Sequence, residues 1–322
     1  MNATFSKRRK GLLVAAVAVA AIGGVAAAAV PAAAASGRHT GGGGTAKTGG
    51  TVLVASLRGA NEVPVQGGPA VGDKDGAALE FIKVRGSKVS VAVTWRGTGT
   101  PTMLHIHQGA KGTNGGVKID FSKLLGKAHR RNGHSLVGTV DVRDSALLKQ
   151  LTNDPGSFYA NLHTAGFPGG AVRGQLHKVT TAVDFRHALG NFQASVIKGR
   201  QIYRCEAGAD GSHAFARRDV AALLGGGIRH SFVKPGSGTP RWVAPDGSAV
   251  TGVVLTKAPN GDGNIPELDL KAAPAGRHHG LLAGTAEILR LNTVGGVAPT
   301  GTCFPGTVAA VPYQADYVFV QH

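Results

Sequence analysis

Between Thr51 and Lys178 the apolar residues come in short alternating runs separated by turns, and that rhythm restricts the chain to a β architecture. Val89, Val91, Val93 and Trp95 take every second position of one run, so an extended backbone puts them on one face. Arg85-Gly86-Ser87-Lys88, just before them, reads as a hairpin turn. Further runs cover 52–54, 79–84, 103–107, 117–121, 135–142, 158–163 and 172–177. The one helical pattern is Ser145 to Leu151, with Asp144 or Ser145 as cap and Pro155-Gly156 beyond its end. Fifty glycines in 322 residues and only 5% aromatics suit many short strands joined by turns. The expected fold is all-β: an N-terminal Greek-key, immunoglobulin-like β-sandwich followed by a second β-rich domain.

The N-terminal segment is read separately. Lys7-Arg8-Arg9-Lys10 precedes an apolar stretch from Leu12 to Val30 and then Pro31-Ala32-Ala33-Ala34-Ala35, the pattern of a signal peptide over residues 1–35. The stretch is mostly Ala and Gly, which partition weakly into hydrocarbon, so cleavage is favoured over an uncleaved anchor and no stable membrane span is expected afterwards. Arg8-Arg9 lacks strongly apolar residues directly after it, which favours the general export route over the twin-arginine one. Residues 36–50, with four consecutive glycines, read as a flexible linker. The expected location is therefore extracellular, with cell-wall association as a further option.

The full chain carries a formal charge of +17; four of those charges, Lys7 to Lys10, leave with the signal segment, which brings it to +13. Such a surface attracts anionic wall polymers or acidic polysaccharide. The basic residues of the mature chain are dispersed, the longest run being a pair such as Arg130-Arg131, and this argues against a specific nucleic-acid site. Two cysteines, Cys205 and Cys303, form an even pair that an oxidising exterior would join. Loop-closure entropy gives such a bridge about 4–5 kcal/mol as an upper figure.

Four ordered motifs carry a resemblance: Leu57-Arg58-Gly59-Ala60-Asn61-Glu62-Val63-Pro64, His105-Ile106-His107, the run from Asn153 to Thr164, and Phe167-Pro168-Gly169-Gly170 through Leu176. Together they resemble the CHRD domain, the repeat named from chordin, over residues 51–178. The resemblance implies an extracellular all-β module; in chordins such repeats belong to an antagonist of secreted growth factors. Residues 181–322 differ in their turns. Gln201 to Glu206, Pro240-Arg241-Trp242, Leu291 to Gly296 and Val311 to Tyr317 resemble the secreted family called domain of unknown function 3455. That family's motif cysteines fall on Cys205 and Cys303, which implies the bridge again. At Ile265-Pro266-Glu267-Leu268 the chain departs from the pattern, which has an aromatic residue after the proline.

The defined chemistry on offer is that of His105, His107 and His163. Two imidazoles one residue apart on a strand share a face, a third from a distant strand can join them, and neutral imidazole suits Cu or Zn. The pair is also similar to the strand His-x-His of copper–zinc superoxide dismutases, yet no bridging histidine or zinc loop follows. Thirteen histidines in a chain of this length give about half such a pair by chance. The alternative is structural: Leu104, Ile106 and Leu162 face the core while the imidazoles hydrogen-bond a loop. His129, His134 and His177 are more distant candidates for the shell. Gly133-His134-Ser135 fails as a nucleophile elbow because Val137 stands where a second glycine is required. Asp73 and Asp75 read as turn residues rather than Ca²⁺ ligands. The leading expectation is a non-enzymatic extracellular binding or envelope-associated module with no cofactor, its partner an unknown extracellular protein or an anionic wall polymer. The competing one is a Cu- or Zn-binding protein.

Overall fold

The computed structural model describes residues 49–127 and 134–322. The expected signal segment, most of the linker, His129, Arg130, Arg131 and Gly133 lie outside the described residues. The protein is all-β, built as an open nine-stranded sheet followed by a closed eight-stranded barrel.

The first sheet contains β1 (Thr51–Arg58), β2 (Ala77–Arg85), β3 (Lys88–Arg96), β4 (Pro101–Gln108), β5 (Val117–Asp120), β6 (Ser135–Asp141), β7 (Phe158–Thr164), β8 (Val172–Gln175) and β9 (His177–Val179). Its order is β5-β4-β7-β8-β1-β2-β3-β6, with β9 also on β1. The strands thus hydrogen-bond as one sheet, where strand spacing had suggested the two separate sheets of a sandwich. The two halves meet at the single pair Arg58–Arg173. They curl over a shared core in which Leu53, Ile82 and Val91 of one half pack with Leu104, Ile106 and Leu162 of the other.

Local expectations hold where the pattern was strictly periodic. Val89, Val91, Val93 and Trp95 are all buried in that core. Gly86 makes the β2–β3 turn at φ +58, and helix α1 (Ser145–Asn153) starts under Asp144, whose carboxylate accepts from the Ala146 and Leu147 amides. One residue violates the pattern's logic: Glu80 on β2 is fully buried with neither carboxyl oxygen bonded. Burial pushes its pKa up to about 8, so it sits in the core as a neutral acid.

The barrel is β10 (Phe192–Ala207), β11 (His213–Leu224), β12 (Arg229–Phe232), β13 (Pro240–Val243), β14 (Ala249–Ala258), β15 (Glu267–Pro274), β16 (Thr285–Gly295) and β17 (Val308–Gln321). Consecutive strands pair antiparallel and β17 closes on β10, so no edge is left to mispair. Cys205 on β10 and Cys303, in the segment before β17, form a disulfide.

Sheet and barrel form one compact unit, because β1 and β2 are buried on both sides. Leu53, Ala55 and Leu57 face the first core, while Val52, Val54, Leu79 and Phe81 pack on Leu289, Leu291, Val318 and Val320 of β16 and β17. Polar groups complete the joint. Arg58 is ion-paired with Asp316 at 2.5 Å, Glu287 accepts from the Thr180 and Thr181 amides, and Asn61 donates to Asn292. Asn292 adopts φ +51, a left-handed backbone that asparagine tolerates, and its side-chain amide donates to the Ser56 carbonyl. Its own backbone N–H donates to Glu267. That residue places an acid at the joint, where Lys111 and His177 also approach it.

Candidate metal centre

Antiparallel pairing sets Met103 of β4 opposite His163 of β7 and His105 opposite Asn161, so side chains of odd number in both strands share one face. That face is opposite the core-facing Leu104, Ile106 and Leu162. His105, His107 and His163 converge there, one ring nitrogen from each lying within 4.8 Å of the others. All three are buried although they project away from the core. The loops between β4 and β5 and between β7 and β8 cover them.

Each imidazole is bonded on one nitrogen and bare on the other. His107 Nδ1 donates to the Gly115 carbonyl at 2.9 Å and His163 Nδ1 to the Pro168 carbonyl at 3.0 Å. His105 Nε2 lies 3.4 Å from the Asp120 carboxylate and 3.3 Å from Ser122 Oγ. A proton on each of these outer nitrogens leaves lone pairs on His105 Nδ1, His107 Nε2 and His163 Nε2, and among the described residues those three buried atoms have no partner. Fixing the outer nitrogen this way is how proteins set the tautomer of a ligating histidine.

The electrostatics agree. Burial, then the proximity of His163, pushes His105 down to about 4. Burial also lowers His107 and His163. All three are neutral at pH 7, the state in which imidazole binds a metal. A Zn or Cu ion bound at its usual 2.0–2.1 Å would hold three nitrogens about 3.4 Å apart. The widest pair must therefore close by roughly 1.4 Å, within the reach of small χ rotations.

The surroundings are closely packed. Tyr159 stacks on His107 at 4.8 Å and the Arg173 guanidinium lies 3.5 Å from the centre of the Tyr159 ring. Arg173 in turn donates to the carbonyls of Ala110 and Thr113 and to the Asn114 side chain, pinning the loop above the histidines. Gly170 of the Phe-Pro-Gly-Gly run has φ +136, and a Cβ there would come within 2.6–2.7 Å of the Glu62 carboxylate oxygens. That glycine is required by both backbone and space.

Of the more distant candidates, His134 is exposed beside Trp95 and His177 pairs with Glu267, so neither joins the cluster. Asp73 accepts from the Asp75 amide, as a turn residue does. Among the described residues no helix is long and apolar enough to cross a membrane.

The CHRD domain model matches residues 53–176, and the model for a protein of unknown function (DUF3455) matches residues 225–321. The second match begins after β11, so the first two barrel strands and Cys205 lie before it. Neither the curated proteins nor the solved structures contain a match to this chain. Four motifs met in order, the sheet that carries them and the barrel behind it have one account: the chain carries a CHRD domain, an extracellular-type module, followed by a DUF3455 domain.

Proposed function

We propose that this protein is an exported, non-enzymatic binding module whose CHRD domain holds a transition-metal ion, Cu or Zn, through His105, His107 and His163. One observation carries the reading: three buried imidazoles, with one ring nitrogen of each within 4.8 Å of the others, each have one nitrogen tied to the protein and the other bare. A purely structural role would leave no reason for three orphaned buried lone pairs, each costing about 1–3 kcal/mol. Three protein ligands leave room for a fourth, from water or from a partner.

Export rests on the signal-like residues 1–35 and on the extracellular character of the domain. The basic charge of the chain supports an anionic wall polymer as the surface on which the module sits. Metal analysis of untagged protein, repeated on His105→Ala and His107→Ala, tests the metal. One equivalent of Cu or Zn at neutral pH, lost in both variants, is expected. Protein free of both metals, and unable to take up either on titration, would sink the reading.

A further inference from the structure

The barrel interior holds a second group of orphaned polar atoms, and unlike the first it includes N–H donors. A cavity to which all eight barrel strands contribute is lined by Gln201, Arg217, His230, Trp242, Arg290 and Tyr317 among apolar side chains. Gln201 and Trp242 are each 1% exposed, yet among the described residues both ends of the Gln201 amide and the Trp242 indole N–H have no partner. Arg290 is buried and anchored by two bonds to the Pro266 carbonyl. Arg217 lines the same space but stays exposed, which places it at the opening, with its guanidinium 5.4 Å from the Phe232 ring.

Among the described residues no carboxylate lies within ion-pair distance of either guanidinium, and none lines the cavity. Arg290 is thus a buried positive charge with no counter-charge, and Arg217 at the opening adds a second one facing the same space. A buried charge of this kind is costly unless a counter-charge arrives from outside. His230 does not add to the charge: burial pushes it down to about 3, its Nδ1 donates to the Arg241 carbonyl, and it lies flat on Trp242 at 4.4 Å.

We infer that the barrel binds a small oxyanion, a carboxylate or an inorganic anion, between Arg217 and Arg290, with the Gln201 amide and the Trp242 indole N–H as neutral donors. Guanidinium forks match the two oxygens of such a group, and eight-stranded barrels have interiors of a size to enclose one small ligand. The free space, about 30 Å³, limits the ligand to an ion of a few atoms, on the scale of acetate rather than a sugar acid. Entry is past Arg217, which would meet the anion first.

The test titrates the full chain with sodium acetate and, separately, sodium sulfate, holding ionic strength constant with sodium chloride. Binding is read by calorimetry and by the emission of Trp242 in a Trp95→Phe background. Saturable one-to-one binding of at least one anion is expected, at least about tenfold weaker in Arg217→Ala and in Gln201→Leu and unchanged in Lys257→Ala, which removes an exposed charge elsewhere on the barrel. Acetate alone would identify a carboxylate site; sulfate, with or without acetate, a general oxyanion site. Circular dichroism confirms that each variant is folded, and Arg217→Ala, which alters an exposed side chain, keeps the test valid should Gln201→Leu misfold. No saturation by either anion up to about 10 mM, or equal binding in Arg217→Ala, or equal weakening in Lys257→Ala, would overturn the inference.

Discussion

The histidine face of the CHRD sheet and the interior of the barrel are both buried, both polar and both incompletely hydrogen-bonded, but the missing partner has opposite charge in the two places. At the sheet the bare atoms are lone pairs on neutral rings, which call for a cation. In the barrel the bare atoms include N–H donors beside two guanidiniums, and these call for an anion. The contrast teaches that an orphaned atom carries information about the ligand only together with the fixed partner on its other side. The Gly115 and Pro168 carbonyls hold one nitrogen of His107 and of His163 and leave the other bare; the Pro266 carbonyl holds Arg290 without a counter-charge.

The largest expected effect tests whether the two places are separate. Replacing Cys205 and Cys303 together by Ser removes the bridge from the barrel alone and should cost about 2–5 kcal/mol in urea unfolding. Metal affinity of the folded variant should stay as it was; a parallel loss of metal would break the comparison. Next, His163→Ala should weaken Zn or Cu binding at least about 100-fold, some 2.7 kcal/mol, in chelator competition, while acetate binding in the barrel is unchanged.

Acid should act on the sheet. The folded pKa of His105, about 4, lies below the ordinary 6.5, so the unfolded chain takes up the proton first. The stability tied to that ring is fully present above pH 6.5 and is lost as pH falls toward about 4. The metal affinity of the folded protein holds lower still and drops only as pH nears about 4, which a metal-release titration would follow. Glu80 has the opposite sign. Its folded pKa of about 8 exceeds 4.5, so its contribution is present in acid and lost as pH rises through about 8. The limiting slope is about 1.4 kcal/mol per pH unit, and Glu80→Gln should flatten it in urea midpoints measured between pH 5 and pH 8. Smallest of all, Ile197→Thr on the exposed outer wall of the barrel should change stability by no more than about 0.5 kcal/mol, which a thermal melt would register as little or no shift.

What could be read from the sequence follows from which signals are local. The alternation through Trp95 and the shared face of His105 and His107 depend on backbone period, the Asp144 cap on one side chain beside the helix start, and each is present in the structure. The third histidine was placed by its motif, and the register of β4 with β7 brings it in. Long-range facts left no local trace. Glu80 sits in a run where an alternating strand would turn it to solvent, and nothing in Leu79-Glu80-Phe81 announces a second layer beyond. Gln201 and Arg290 look like outward residues of amphipathic strands until the barrel closes and turns them in. The curl of the first sheet was likewise hidden, because it depends on one cross-strand pair, Arg58 with Arg173, far apart in the chain.

The two-faced strand β1 has a consequence for anyone who would divide this protein at its family boundary. Cutting near residue 180 would strip the barrel wall from Val52, Val54, Leu79 and Phe81 and leave a contiguous apolar strip on a sheet whose other face is already full. Such a fragment would seek a replacement wall in its neighbours and precipitate, although its histidines would be untouched. Homology marks where each module begins, but solubility belongs to the pair.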